Sequence, residues 1–343
     1  MKWIEKSHSC ICIPFKDLEN TLTYWQPHIA IVDRIAGIPP QGTDEGAKVF
    51  DTIWTQRFCP VVIYSAFPEP GADERMTHPF VKHVKKAADL QDFQDAVTSL
   101  VSHAHIIDDA EQHIRHQFAL AMRDVAPYAA EAFADPAQYR DAVTRHGRRR
   151  LAALMDEMSL GKLASWEQYI HPPVSADPLL GDVLRLKDGD KNKSEFFFVI
   201  LTPSCDMAMP RGGKAKVEQI LAAVCCDPKQ GIQRTALGKL DKEELGKTLT
   251  STMLSQGYYQ KIVPFPGLKG KIPPMMADLQ KLRQIPLSEI IPAGSAKYER
   301  VASLDSPFRE LISWAYMQTA CRPGLPDRDC GSWNKEIMGT YNA

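Results

Sequence analysis

Four polar residues in the first quarter of the chain have side chains that could act together in one site. Asp33 and Ser65 each stand at the end of an apolar run of strand length, and a third such run ends in Lys85 and Lys86. The carboxyl ends of parallel strands meet at one edge of a doubly wound sheet, where such folds bind ligands. A carboxylate, a hydroxyl and an ammonium group at that edge can accept and hold a phosphoryl group, because phosphoryl transfer depends on positioning and charge neutralisation.

This order of residues resembles the receiver domain of two-component response regulators. The resemblance implies that Asp33 is the phospho-acceptor and Ser65 the switching hydroxyl. It also implies that Lys85 or Lys86 is the cation that pairs with the acylphosphate. Receivers hold magnesium with an acidic pair at the end of a first strand, and Asp33 lies too close to Met1 for that strand. We therefore expect a degenerate receiver without tight magnesium binding, and no metal or other cofactor.

Composition restricts the remaining classes of function. The 343 residues carry a formal net charge of -1, so no basic excess indicates nucleic acid or an anionic membrane as partner. No apolar run approaches the roughly twenty residues that span a bilayer, and the amino terminus lacks a signal-peptide core. Eight cysteines without an export signal are expected to be reduced thiols or metal ligands rather than disulfides. These features predict a folded cytoplasmic protein.

A long amphipathic segment follows the receiver-like region. From about residue 94 to 125, apolar residues recur at seven-residue spacing in two series that form an a/d seam, which Glu111 interrupts. We expect a helix whose seam packs against a second copy of the chain, giving a homodimer. The alternative is packing on the chain's own helices, such as 139–158. The two series are Val97, Ala104, Phe118 and Val125, and Leu100, Ile107, Ile114 and Ala121.

The pattern changes again after Gly161, where apolar runs separated by turn residues indicate antiparallel strands. Together they predict an α+β domain built on a small antiparallel sheet or barrel. The expected strands cover residues 181–186, 195–202 and 217–226. The expected helices cover residues 241–256, 278–284 and 307–319.

The whole chain is thus predicted to be an α/β protein with three parts. A receiver-like domain with a truncated, doubly wound parallel sheet covers residues 1–90. Within it, residues 9–13 are expected to form a strand and residues 16–25 a helix. A helical connector covers residues 91–160, and the α+β domain covers residues 161–343.

A second candidate site lies at Cys205 and Asp206, where the most apolar strand ends. Three interpretations remain open. The first is a zinc site that combines Cys205 with thiols from two later cysteine pairs. The second is a nucleophilic Cys205 with a histidine such as His171 as its base. The third is a structural turn in which Asp206 accepts backbone hydrogen bonds. The later cysteine pairs are Cys225 with Cys226, and Cys321 with Cys330.

These observations favour a signalling protein with a receiver-like input domain and an output or partner-binding domain. The architecture is similar to receiver-containing components of bacterial conflict and anti-phage systems. That similarity implies a histidine-kinase-like or Hsp90-like ATPase as partner. The alternative is an enzyme, a thiol hydrolase or a nuclease with its site around Cys205 and Asp206, that the receiver-like domain switches. An enzyme requires convergent side chains in a pocket, whereas a binding module requires exposed apolar surface.

Overall fold

The computed structural model divides the chain into two compact units, residues 1–160 and residues 161–343. None of the helices in the described part of the chain is long and apolar enough to cross a membrane. The structure describes residues 9–33, 45–66, 74–157, 161–209, 213–291, 296–321 and 327–341.

The first unit is built on a parallel sheet, as expected. Among the described residues the sheet has three strands in the order β1 (Ala30–Val32), β2 (Val61–Ser65) and β3 (Val81–Lys85). Ser65 is paired with Lys85, so β2 and β3 end level with each other, and Val32 is paired with Ile63, so β1 ends two residues earlier. The sheet therefore brings the residues that follow its strands to a common edge.

Helices cover both faces of this sheet. Val61 and Ile63 of β2 pack against the helices that begin at Leu18 and Glu45. Val62 packs against the helix that begins at Leu90, because alternate residues of a strand point to opposite faces. The two buried clusters explain why the run 60–64 is almost continuously apolar. The helices of this unit are α1 (Leu18–Tyr24), α2 (Glu45–Gln56), α3 (Leu90–Ala132) and α4 (Pro136–Glu157).

The expected strand over residues 9–13 is not formed. These residues have no regular secondary structure, and Cys10 and Cys12 are exposed. A run of five residues becomes a strand only where a neighbouring strand satisfies its backbone, and the apolar side chains here do not join the buried cluster. The helix expected over residues 16–25 is present as α1.

The second unit contains an open antiparallel sheet rather than a barrel. Its seven described strands lie in the order β4-β10-β5-β6-β7-β9-β8, and the outer strands β4 and β8 do not pair with each other. Buried clusters lie on both faces. The strands are β4 (Tyr169–Ile170), β5 (Asp182–Leu186), β6 (Phe197–Ile200), β7 (Gln219–Cys226), β8 (Ile262–Phe265), β9 (Met275–Pro286) and β10 (Tyr298–Leu304).

One helix that the sequence predicts in the second unit is not formed. Residues 278–284 belong to strand β9, which pairs with β7 on one side and with β8 on the other. Burial of Met275, Ala277 and Leu279 between these neighbours overrides the helical preference of the local sequence. The helices of this unit are α5 (Ser204–Met207), α6 (Pro228–Gln233), α7 (Lys242–Thr248), α8 (Phe308–Ala320) and α9 (Cys330–Tyr341).

Candidate functional site

The structure brings Asp33 and Lys86 into direct contact. Asp33 follows the last residue of β1, and Lys86 follows the last residue of β3. Although 53 residues separate them, the Lys86 ammonium forms an ion pair and hydrogen bond with Oδ2 of Asp33. Between them lies the end of β2, so the pair spans the carboxyl edge of the sheet. This is the convergence that the three apolar runs predict.

Ser65 and Lys85 take different positions at the same edge. The backbone N–H of Lys86 donates to the carbonyl oxygen of Ser65 at 3.0 Å, which places the backbone of Ser65 next to that of Lys86. Ser65 itself is buried, with 1% of its surface exposed. Lys85 lines an open pocket of about 320 Å³ together with Asp92 and Asp95 from the start of α3. Lys86 is therefore the lysine that contacts Asp33.

The Asp33–Lys86 pair contributes little to the stability of the fold. The aspartate side chain is 37% exposed and the lysine side chain 45% exposed. Exposed ion pairs typically contribute about 0–1 kcal/mol, because water screens the charges and two long side chains lose freedom. Both groups remain accessible to small solutes from the solvent. The strand ends therefore bring the two side chains together, and the fold does not depend on their ion pair.

The second candidate site forms a small charged cluster in the second unit. Cys205 is exposed, and its Sγ lies 3.6 Å from Oδ1 of Asp206. The same oxygen lies 3.5 Å from the ammonium of Lys216. Among the described residues, the contacts of the Asp206 carboxylate are with side chains, not with the backbone N–H groups that the structural-turn interpretation expects. The backbone carbonyl of Asp206 instead accepts from the N–H of Lys216 at 2.9 Å.

The structure does not bring the other expected partners to Cys205. Cys225 and Cys226 are buried in strand β7, and burial raises the pKa of both thiols. The His171 ring contacts the carbonyl oxygen of Val301 through Nδ1 at 2.7 Å. Cys321 and Cys330 are exposed near the end of the chain. Within the described residues, no group of three or more His, Cys, Asp or Glu side chains is arranged to hold a metal ion.

A buried polar network that the sequence did not indicate lies next to this region. The carboxylate of Asp182 is fully buried and accepts hydrogen bonds from Ser303 Oγ at 2.6 Å and Arg300 Nε at 2.8 Å. Arg300 also donates to the carbonyl oxygens of Ser175 and Ala176. Burial raises the pKa of Asp182, although these donors favour its ionised form. The network fixes the loop before β5 onto the sheet, which is a structural role.

No family model, curated protein or solved structure matches this chain.

Proposed function

We propose that this chain is a signalling protein whose first unit receives a phosphoryl signal at Asp33 and whose second unit binds a protein partner. One observation carries the first part of the proposal. The Asp33 carboxylate and the Lys86 ammonium meet at the carboxyl edge of a parallel sheet that helices cover on both faces, and the backbone of Lys86 is hydrogen-bonded to that of Ser65. An accessible carboxylate with a fixed cation beside it suits the formation of an acylphosphate.

The chemical step follows from this geometry. A carboxylate oxygen of Asp33 attacks the phosphorus atom of an acyl phosphate or phosphohistidine donor. The new P–O bond forms as the bond to the leaving group breaks, so the donor carboxylate or imidazole departs with its electron pair. Lys86, which contacts the Asp33 carboxylate, would neutralise charge on the transferred phosphoryl oxygens, which is the main contribution a protein makes to such a transfer.

Small-molecule phosphorylation tests the proposal directly. The intact protein is incubated with acetyl phosphate and magnesium, and the mass of one added phosphoryl group is sought by intact-mass spectrometry. We expect the native chain to gain one acid-stable, base-labile phosphoryl group and Asp33→Asn to gain none. Lys86→Gln should react more slowly, because the positive charge beside the acceptor is removed.

The first unit supplies its own control. Asp51 also forms an ion pair with a cation, since its Oδ1 lies 2.7 Å from Nη1 of Arg75. Asp51 lies within α2 rather than at the carboxyl edge of the sheet. The Asp51→Asn variant should therefore gain a phosphoryl group as the native chain does. A native chain that gains no phosphoryl group, or an Asp33→Asn variant that still gains one, contradicts the proposal.

Exposed aromatic surface supports a partner-binding role for the second unit. Trp314 and Met317, one turn apart on α8, are each 52% exposed, and Trp333 on α9 is also 52% exposed. Aromatic side chains are enriched where proteins bind one another. The resemblance to components of bacterial conflict systems makes a histidine-kinase-like or Hsp90-like ATPase the partner to test. A Trp314→Ala variant should then bind such an ATPase more weakly without losing phosphorylation at Asp33.

A further inference from the structure

The two long helices of the first unit, α3 and α4, contain seven arginines and no lysine. Four of the arginines form ion pairs with carboxylates of the same two helices. The other three are Arg145, Arg148 and Arg149 of α4, which we call the arginine face. All three are exposed, and none forms an ion pair with another described residue. The paired arginines are Arg115, Arg123, Arg140 and Arg150.

The packing of α4 on α3 directs the arginine face towards solvent. Ala142 of α4 is buried, and Gly147 lies against the side chain of Met122 in α3. At 3.6 residues per turn, Arg145 and Arg148 lie on the side of α4 opposite these buried residues. Side chains three and four residues apart are neighbours on a helix, with about 5–6 Å between their Cβ atoms. The three guanidinium groups can therefore contact one charged surface together.

The nearest carboxylates of α4 do not neutralise the arginine face. Asp141, one turn before Arg145, lies 3.5 Å from Nε of Arg140. Asp156 follows Arg149 by seven residues, or about 10 Å along the helix. Residues 142–155 include no aspartate or glutamate. The formal net charge of -1 for the whole chain therefore coexists with a local excess of positive charge on α4.

The polar character of α4 indicates which kind of partner suits the arginine face. All residues of α4 are described, and no large apolar side chain among them is exposed. Protein interfaces bury an apolar centre from which charged residues are depleted, and helices that bind membranes insert apolar side chains. Interfaces with DNA are instead polar and strongly positive. The arginine face thus matches a nucleic acid better than a protein or a membrane.

The residue types on α4 favour a DNA duplex among the nucleic acids. The planar guanidinium of arginine donates two parallel hydrogen bonds to a phosphate group, which the ammonium of lysine does not. Single strands are bound by stacking bases on aromatic side chains, and α4 exposes no aromatic side chain. The major groove of B-form DNA, about 12 Å wide, admits a helix, whereas that of an RNA duplex is deep and narrow.

We propose that the arginine face of α4 binds the phosphate backbone of double-stranded DNA, with one phosphate for each arginine. Phosphate contacts carry no sequence information, so the binding is independent of sequence. Three contacts make it weak at physiological salt and dependent on salt concentration. This activity goes beyond phosphorylation at Asp33 and does not require it.

Fluorescence anisotropy of a labelled DNA duplex, titrated with the full chain at several salt concentrations, tests the proposal. Three phosphate contacts predict a slope of about -2.7 in log K against log salt concentration, because each contact releases about 0.9 counterion. Arg148→Gln should reduce the slope to about -1.8, since one contact is lost. The threefold variant Arg145→Gln, Arg148→Gln and Arg149→Gln should bind at least about tenfold more weakly at low salt.

The matched control removes three positive charges from exposed positions of the second unit, and it should bind the duplex as the native chain does. Circular dichroism checks that each variant is folded. Asp33→Asn should also bind as the native chain does, which separates this proposal from the phosphorylation proposal. The control variant carries Lys191→Gln, Lys193→Gln and Lys229→Gln.

Polyglutamate, added as a competitor, represents an acidic protein partner. It should displace the duplex only at a much higher concentration of negative charge, because it lacks phosphate groups. A native chain that does not bind the duplex, equal losses in the two threefold variants, or polyglutamate that competes as well as unlabelled duplex would each overturn the proposal.

Discussion

His78 shows how one side chain couples its protonation to the packing of the first unit. Its Nδ1 accepts a hydrogen bond from the backbone N–H of Phe80 at 3.2 Å, so this nitrogen carries no proton. The ring lies edge-on to Trp54 at 4.9 Å and to Phe80 at 5.3 Å. Burial lowers the pKa of His78 below its ordinary value of 6.5.

This lowered pKa predicts a loss of stability on acidification. Below about pH 6.5 the unfolded chain binds a proton at His78 before the folded chain does, so the free energy of unfolding falls as the pH drops towards the folded pKa. Above that range both states are neutral at this residue and the contribution is constant. His78→Gln should therefore lose less stability than the native chain between about pH 7.5 and about pH 5.5.

Melting temperatures of the first unit at the two pH values measure this difference. His103→Gln is the control, because the His103 ring also contacts Phe80, with ring centroids 5.0 Å apart, but is exposed on α3. Its pH dependence should match that of the native chain. Equal acid sensitivity of His78→Gln and the native chain would show that His78 does not titrate in this range.

The contact that the sequence predicted and the structure contains is one between residues at strand ends. The meeting of Asp33 with Lys86 follows from the apolar runs and from the geometry of parallel sheets. The choice between Lys85 and Lys86 does not follow from them, because adjacent residues at a strand end point in different directions. Asp182 and Arg300 were missed because 118 residues separate them, and only the pairing of β5 with β10 brings them together.

Two glycines in helices of the second unit provide a matched test of packing at the scale of the element. A Cβ added to Gly231 of α6 would lie 2.5 Å from Sδ and 2.8 Å from Cβ of Met276, a buried residue of β9. A Cβ added to Gly246 of α7 would have no atom within 4 Å. Steric overlap thus opposes the substitution at one site and not at the other.

We expect Gly231→Ala and Gly246→Ala to change stability in opposite directions. Gly231→Ala should lower the free energy of unfolding by about 1–3 kcal/mol, the usual cost of overpacking. Gly246→Ala should raise it by about 0.5–1 kcal/mol, because alanine loses less conformational entropy in a helix. Urea denaturation measures both. A gain in stability in both variants would show that the α6–β9 contact adjusts without cost.

The elements predicted well are those with a local signal. Strands β5, β6 and β7 follow from apolar runs between turn residues, and α8 from its helical spacing. The strand expected at residues 9–13 and the helix expected at residues 278–284 failed for a common reason. Whether a short apolar run pairs as a strand depends on neighbours that are distant in sequence, and a single sequence does not contain that information.

At the scale of the whole molecule, each unit buries its own apolar core. The described clusters of the first unit join α1, α2 and α3 to its parallel sheet. Those of the second unit join both faces of the antiparallel sheet to helices such as α8. Each unit is also within the size range of domains that fold alone. The sequence predicted an antiparallel sheet or barrel in the second unit, but not the order of its seven described strands, because that order depends on long-range pairing.

These separate cores predict that each unit folds without the other. Fragments 1–160 and 161–343 should each unfold in one cooperative calorimetric transition, and the profile of the intact chain should be close to the sum of the two. A fragment that covers residues 191–343 is the control. It lacks β5, which lies between β10 and β6, so its sheet is divided and it should show no cooperative transition. If fragment 161–343 also lacks a transition, its core is not sufficient for folding and the first unit must contribute to it.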